Sequence, residues 1–189
     1  MLKFILVGTL GLLLACSNSK EVDNSENQAE KFHVEILATT TQAYCGGVSP
    51  TEEVLKELNT PSPAPNVKLY LRKGDSNNIK NEIDYQLMTN DSGHVETSLP
   101  EGTYSIVFEN KKDLSTYNDL LKRYGKETSY QTAIDTNCLK QFFAKPNAVI
   151  VVGDKNENAI SVNRKLPCQS TKVPCSRYKG ELPPSVKQK

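Results

Sequence analysis

The chain has no tryptophan, only two histidines and almost no surplus of either charge, 23 Lys and Arg standing against 22 Asp and Glu in 189 residues. A chain without a net field carries no electrostatic footprint for nucleic acid. With His33 and His94 alone, general-base chemistry has few candidates, and neither histidine has metal-ligand spacing to a cysteine. There is no Cys-x-x-Cys pair, no Gly-Lys-Ser/Thr phosphate loop, no Gly-x-Ser-x-Gly elbow and no His-Glu-x-x-His helix. No cofactor, metal or catalytic residue is therefore expected. Asp154 to Asn158 begins like a calcium loop, but Ala159 stands at its sixth position and Lys165 at its twelfth, where Gly and Glu are needed, so a turn is expected. Long apolar runs are also missing. The longest, Phe4 to Ala15, falls short of the roughly 20 residues that a spanning helix requires.

That short run follows Lys3 and ends at Leu13, Leu14, Ala15 and Cys16, which resembles a bacterial lipobox. Residues 1–15 are expected to be a signal peptide, and Cys16 to become the lipidated first residue, carrying palmitate-type acyl chains. Each buried methylene is worth about 0.8 kcal/mol, so several chains on one residue hold a protein durably on a membrane. Residues 16–31 then form the anchor and a polar tether with too little apolar surface to order itself, reaching roughly 20 Å on average. The expected location is the cell envelope, on the outer membrane, with either the periplasmic or the surface face open to it.

The remaining cysteines are Cys45, Cys138, Cys168 and Cys175, an even number in a chain addressed to an oxidising compartment. Two disulfides are expected. Three connectivities are possible, and spacing does not choose among them.

Residues 32–184 read as one domain, followed by a tail at 185–189. Its dominant period is two: Val67, Leu69 and Leu71 alternate with Lys68, Tyr70 and Arg72, and similar alternation recurs at 33–40, 83–87, 95–99 and 104–108. Half-buried antiparallel strands follow. Ala148 to Val152 is apolar throughout, which predicts a central strand buried on both faces, with a hairpin through 153–158 into Ile160 and Val162. Helices are expected near 50–58, opened by a capping box from Ser49 to Glu52, near 113–124, stopped by Gly125, and near 132–143. The fold class is mainly β: an Ig-like or transthyretin-like antiparallel sandwich with a helical insertion between the Tyr104 strand and the Val149 strand. In such a sandwich the first and last strands often lie side by side. That favours Cys45 paired with Cys168 or Cys175 and the other with Cys138, against a local Cys168 to Cys175 loop.

Val67 to Arg72, Thr89 to His94 and Leu99 to Ile106 together resemble the carboxypeptidase regulatory-like family of transthyretin-like β-sandwiches, in which a strand, a Thr-Asp-x-x-Gly turn and a Leu-Pro-x-Gly-x-Tyr turn follow one another. Asn90 precedes Asp91 here, one place out of the family pattern. The resemblance covers about a quarter of the chain and implies a non-catalytic accessory or binding module. Tyr44 to Gly47 and Pro174 to Pro184 resemble, more loosely, cysteine-containing lipoproteins of the Bacteroidetes type. The expected function is a membrane-anchored lipoprotein whose β-sandwich binds an envelope protein or glycan or plays a structural part. The alternative is a hydrolase, or an accessory subunit of an envelope peptidase or glycan-processing system. A deep pocket converging His94 with carboxylates would favour that alternative.

Overall fold

The computed structural model describes residues 30–154 and 158–179. The expected signal peptide at 1–15, Cys16, the expected tether as far as residue 29, and residues 180–189 with the expected tail lie outside the described residues, whereas Lys31, expected in the tether, begins the first strand. Among the described residues eight strands form two sheets: β1 (Lys31–Gln42), β2 (Ser62–Pro63), β3 (Lys68–Lys73), β4 (Tyr85–Met88), β5 (His94–Pro100), β6 (Gly102–Phe108), β7 (Ala148–Val152) and β8 (Ala159–Leu166). In the first sheet β1 is central. It runs antiparallel to β5 and β2 on one side and parallel to β8 on the other. The second sheet has the order β4-β3-β6-β7, all antiparallel.

Alternation builds the core between the sheets. Val34, Ile36 and Ala38 of β1 meet Leu69 and Leu71 of β3, Tyr104, Ile106 and Phe108 of β6, Leu99 and Val162, all buried. Each such aliphatic side chain contributes about 2 kcal/mol on leaving water. The turns match the sequence expectation at two glycines, Gly93 with φ +79° and Gly102 with φ +150°. Just after Gly102 the Tyr104 ring is buried, and its hydroxyl donates back to the Pro100 carbonyl at 3.0 Å.

The helical insertion lies between β6 and β7, as expected. It comprises a 3-10 turn at Glu109–Lys111 and two helices, while a separate short helix precedes β2; in chain order they are α1 (Glu52–Asn59), α2 (Leu114–Tyr124) and α3 (Thr136–Ala144). The starts differ from the sequence reading. Thr51, not Ser49, caps α1, its hydroxyl accepting the Val54 N–H at 3.3 Å, so Pro50 lies outside the helix. Asp113 caps α2 and Asp135 caps α3. The stretch before α3 stays extended because its amides are used elsewhere: Thr132 donates to the Arg177 carbonyl, Ile134 to Tyr124 and Asp135 to Cys175. Gly125 ends α2 at φ −73°, without a left-handed cap.

Two further expectations are corrected. β7 is an edge strand, and its Val149 and Val151 are 38% and 54% exposed, because the helical layer covers β3 and β6 and leaves β7 open. Nor do β7 and β8 form a hairpin. The Asn158 side chain closes the turn onto Gly153 in both directions at 3.2 Å, and the Asn158 carbonyl accepts the Glu35 N–H, so the chain crosses to the other sheet. Residues 155–157 of that turn lie outside the described residues.

Candidate functional site

Tyr70 and Arg72 were expected on the polar side of their strand, yet both are buried, Arg72 with 2% of its surface exposed. The helical insertion covers them and forms a second small core from Ile134, Leu139 and Phe143, with Tyr117, Leu120 and Leu121 packed around it. A polar clamp ties that layer to the sheet. The Arg72 guanidinium donates to Asn77 Oδ1 at 2.7 Å, to the Asn81 carbonyl at 3.1 Å and to the Lys112 carbonyl. Asn77 in turn donates from Nδ2 to the Lys111 carbonyl at 2.8 Å and the Phe143 carbonyl at 2.9 Å. Burial lowers the Arg72 pKa from its usual value, with Asp113 and Asp84 opposing. Beside the clamp, Tyr70 donates to Glu109. Burial first, then Glu109, pushes that phenol up to about 12. Hydrogen bonds from Lys112 and Tyr70 hold the Glu109 carboxyl below its usual range. Burial likewise raises Tyr104 to about 12. These phenols stay protonated at neutral pH, which suits a structural role.

The four cysteines form Cys45–Cys168 and Cys138–Cys175, with Cα separations of 5.5 and 5.7 Å. The local Cys168 to Cys175 loop is not formed. Residues 168–175 are thereby a strap fixed at one end to the chain leaving β1 and at the other to α3. Asp135 N–H donates to the Cys175 carbonyl at 2.9 Å and adds to the second attachment.

Under this strap lies a cleft of about 500 Å³, walled by α3, the end of β8 and the strap itself. Lys145, Lys165 and Lys172 line it together with Asn110, Gln141 and Phe142. No carboxylate lines it, and none of the three lysines has an ion-pair partner among the described residues. Behind it, Lys111 is 8% exposed, donating to the Lys145 carbonyl at 3.0 Å with its ammonium 4.3 Å above the Phe142 ring. Burial, then Lys145, lowers the Lys111 pKa. The sequence reading missed this cluster because overall charge is balanced. A local count finds it: between residues 136 and 180 eight Lys and Arg stand against Asp154 and Glu157.

The histidines are placed differently. His33 lies 3.5 Å from Glu35 and 3.9 Å from Glu96, all three side chains more than half exposed. His94 lines two open depressions, one with Met88 and Glu96, the other with Glu35 and Leu37. No group of three or more metal-ligating side chains occurs among the described residues. A separate pocket of about 480 Å³ between α2, α3 and the β3–β4 loop is more apolar, with Ile79, Leu114, Tyr117 and Phe143 in its lining.

No protein-family model matches the chain, and no curated protein matches it. Among solved structures it is similar to the shaft pilin SpaA of Lactobacillus rhamnosus GG. The crystal structure of one single mutant of that pilin aligns at 10% identity with a TM-score of 0.35, covering 72% of this chain and 51% of that one. Another crystal structure of the same pilin gives 9% identity, a TM-score of 0.32 and coverages of 73% and 50%. The chain thus spans about half the length of those pilin chains.

Proposed function

We propose that this chain is a membrane-anchored lipoprotein of the bacterial cell envelope whose disulfide-locked β-sandwich is a non-catalytic module with a binding or structural role. The strap carries the reading: all four cysteines other than Cys16 are used in two disulfides that join the sandwich, α3 and the C-terminal segment. Such bonds persist in an oxidising compartment, which is where the lipobox-like run ending at Cys16 would deliver the chain. The site's chemistry supports binding, since the cleft presents cations, amides and an aromatic ring without a nucleophile and base in contact.

The sandwich is further read as carboxypeptidase regulatory-like. Asn90 supports this by taking the turn role of the displaced Asp: its Oδ1 accepts the N–H groups of Ser92 at 3.0 Å and His94 at 2.9 Å. Asp91 is then free to accept from Asn66 at 3.1 Å. The test of the anchor is metabolic labelling with a palmitate analogue in cells. Wild type is expected to label and fractionate with membranes, whereas Cys16→Ser should lose label and accumulate as unprocessed precursor. A wild-type protein that takes up no label, or a Cys16→Ser protein processed and retained on membranes as wild type is, would refute the lipoprotein reading.

A further inference from the structure

We propose that the cleft under the strap binds an acidic saccharide, a sugar chain bearing carboxylate groups. This deepens the binding-module reading and rests on it. Lys145 follows α3, Lys165 is the last residue but one of β8 and Lys172 sits on the strap, so three separate segments bring one charge sign to one place. Asp154, the one described acid of the same stretch, lies beyond the far end of β7, and a strand the length of β7 alone spans about 17 Å. It cannot neutralise the cleft at contact distance.

Lys111 makes the imbalance costly. It is a nearly buried ammonium whose contacts are a carbonyl and an aromatic ring, with no carboxylate partner among the described residues. Like charges gathered without counter-charge raise the energy of the folded state, and an anion entering the cleft relieves that energy.

The other lining groups select the kind of anion. The exposed side-chain amides of Asn110 and Gln141 are suited to hydroxyl groups, and the Phe142 ring offers an apolar surface to the C–H face of a sugar. The volume of about 500 Å³ is of small-ligand size. An acidic peptide is a poorer fit: in the last turn of α3 the Gln141, Phe143 and Ala144 carbonyls already accept from the Lys145 N–H, the Asn77 side-chain amide and the Asn77 N–H, so that wall offers mainly side chains to a main chain seeking partners.

The test is calorimetric titration of the mature chain, disulfides formed, with hexagalacturonate as the acidic saccharide, maltohexaose as its neutral counterpart and hexaglutamate as the acidic peptide. Hexagalacturonate should bind with an affinity that falls as salt rises, and should weaken about tenfold in the double variant Lys145→Ser, Lys165→Ser, both lysines being exposed. Lys140→Ser, on α3 but lining the other pocket, should leave binding unchanged. Maltohexaose should not bind. The proposal is overturned if hexagalacturonate fails to bind, if maltohexaose binds equally, if hexaglutamate binds more tightly, or if the double variant keeps wild-type affinity while melting as wild type. Lipid labelling of Cys16 is read separately, so a failure here leaves the anchor standing and a failure there leaves the cleft standing.

Discussion

Asn77→Ala should be among the most damaging single substitutions in the domain, although it removes only a small polar side chain. Asn77 is 2% exposed, and its side chain makes three hydrogen bonds, one accepted from the Arg72 guanidinium and two donated to the Lys111 and Phe143 carbonyls. Alanine leaves a charged donor and two carbonyls unpartnered in the interface between sheet and helical layer. A hydrogen bond to a charged group is worth about 1.5 to 3 kcal/mol and each neutral one about 1 kcal/mol, so the expected loss is about 4 kcal/mol. For a domain of this size each kcal/mol lowers Tm by about 2 to 4 °C, which places the shift at about 8 to 16 °C.

The assay is thermal and urea unfolding followed by far-ultraviolet circular dichroism and by tyrosine fluorescence, there being no tryptophan. Asn78→Ala is the comparison. That neighbour is exposed and its side chain accepts only the Lys80 N–H at 3.1 Å, so the change should cost about 0.5 kcal/mol. If the two variants unfold together, the clamp does not hold the helical layer and the reasoning from Arg72 outward is wrong.

Non-reducing peptide mapping should recover Cys45 joined to Cys168 and Cys138 to Cys175; with sequence separations of 123 and 37, their removal should cost about 5 and 4 kcal/mol in the loop-entropy account. Gly93→Ala should lose about 2 kcal/mol or more in urea titrations, since φ is +79° and an added Cβ would stand 2.7 Å from the Ala38 carbonyl oxygen; a neutral effect would contradict the packing of that turn against β1. Glu109, whose folded pKa is depressed below 4.5 by Lys112 and Tyr70, contributes stability that is present above that value and lost as pH falls through its folded pKa. Acid titration of Glu109→Gln should therefore show a shallower loss of stability below pH 4.5 than wild type, and parallel curves would remove the carboxylate from that account.

Where one side of a strand packs and the other is wet, the pattern was plain in the sequence. Val34, Ile36 and Leu99 fell on the core face, and Gly93, Gly102 and Tyr104 fell where the turns and the following strand needed them. The errors cluster where an element's partner is distant in sequence. Alternation in β3 correctly separates Leu69 and Leu71 from Tyr70 and Arg72, but it cannot reveal that a helical layer more than thirty residues later covers the second set. An all-apolar run signals burial on both faces only if something covers both, and β7 lacks a strand on one side. The Asp135 cap was legible as a residue type. The competition for the preceding amides by Tyr124, Cys175 and Arg177 was not.

The positions of the two disulfides follow from what hydrogen bonding leaves undone. Between Leu166 and Lys179 the chain contains no strand and only a single 3-10 turn, so few of its backbone groups can be satisfied by regular structure. Backbone contacts tie it down at discrete points, through Ala43 to Leu166, Asp135 to Cys175 and Thr132 to Arg177. Cys168 falls just after the first of these points and Cys175 on the second. The segment between them is therefore held at both ends while the exposed Lys172 at its middle remains available to the cleft. A strap of the same length without the bridges would have to meet its ordering entropy, about 1 to 2 kcal/mol per residue, from a few contacts such as Val173 against the Leu139 and Phe143 core and Thr171 on the Cys168 carbonyl. The covalent attachments fix the wall of the cleft without filling it with apolar side chains, and so the place where cations gather can stay both open and ordered.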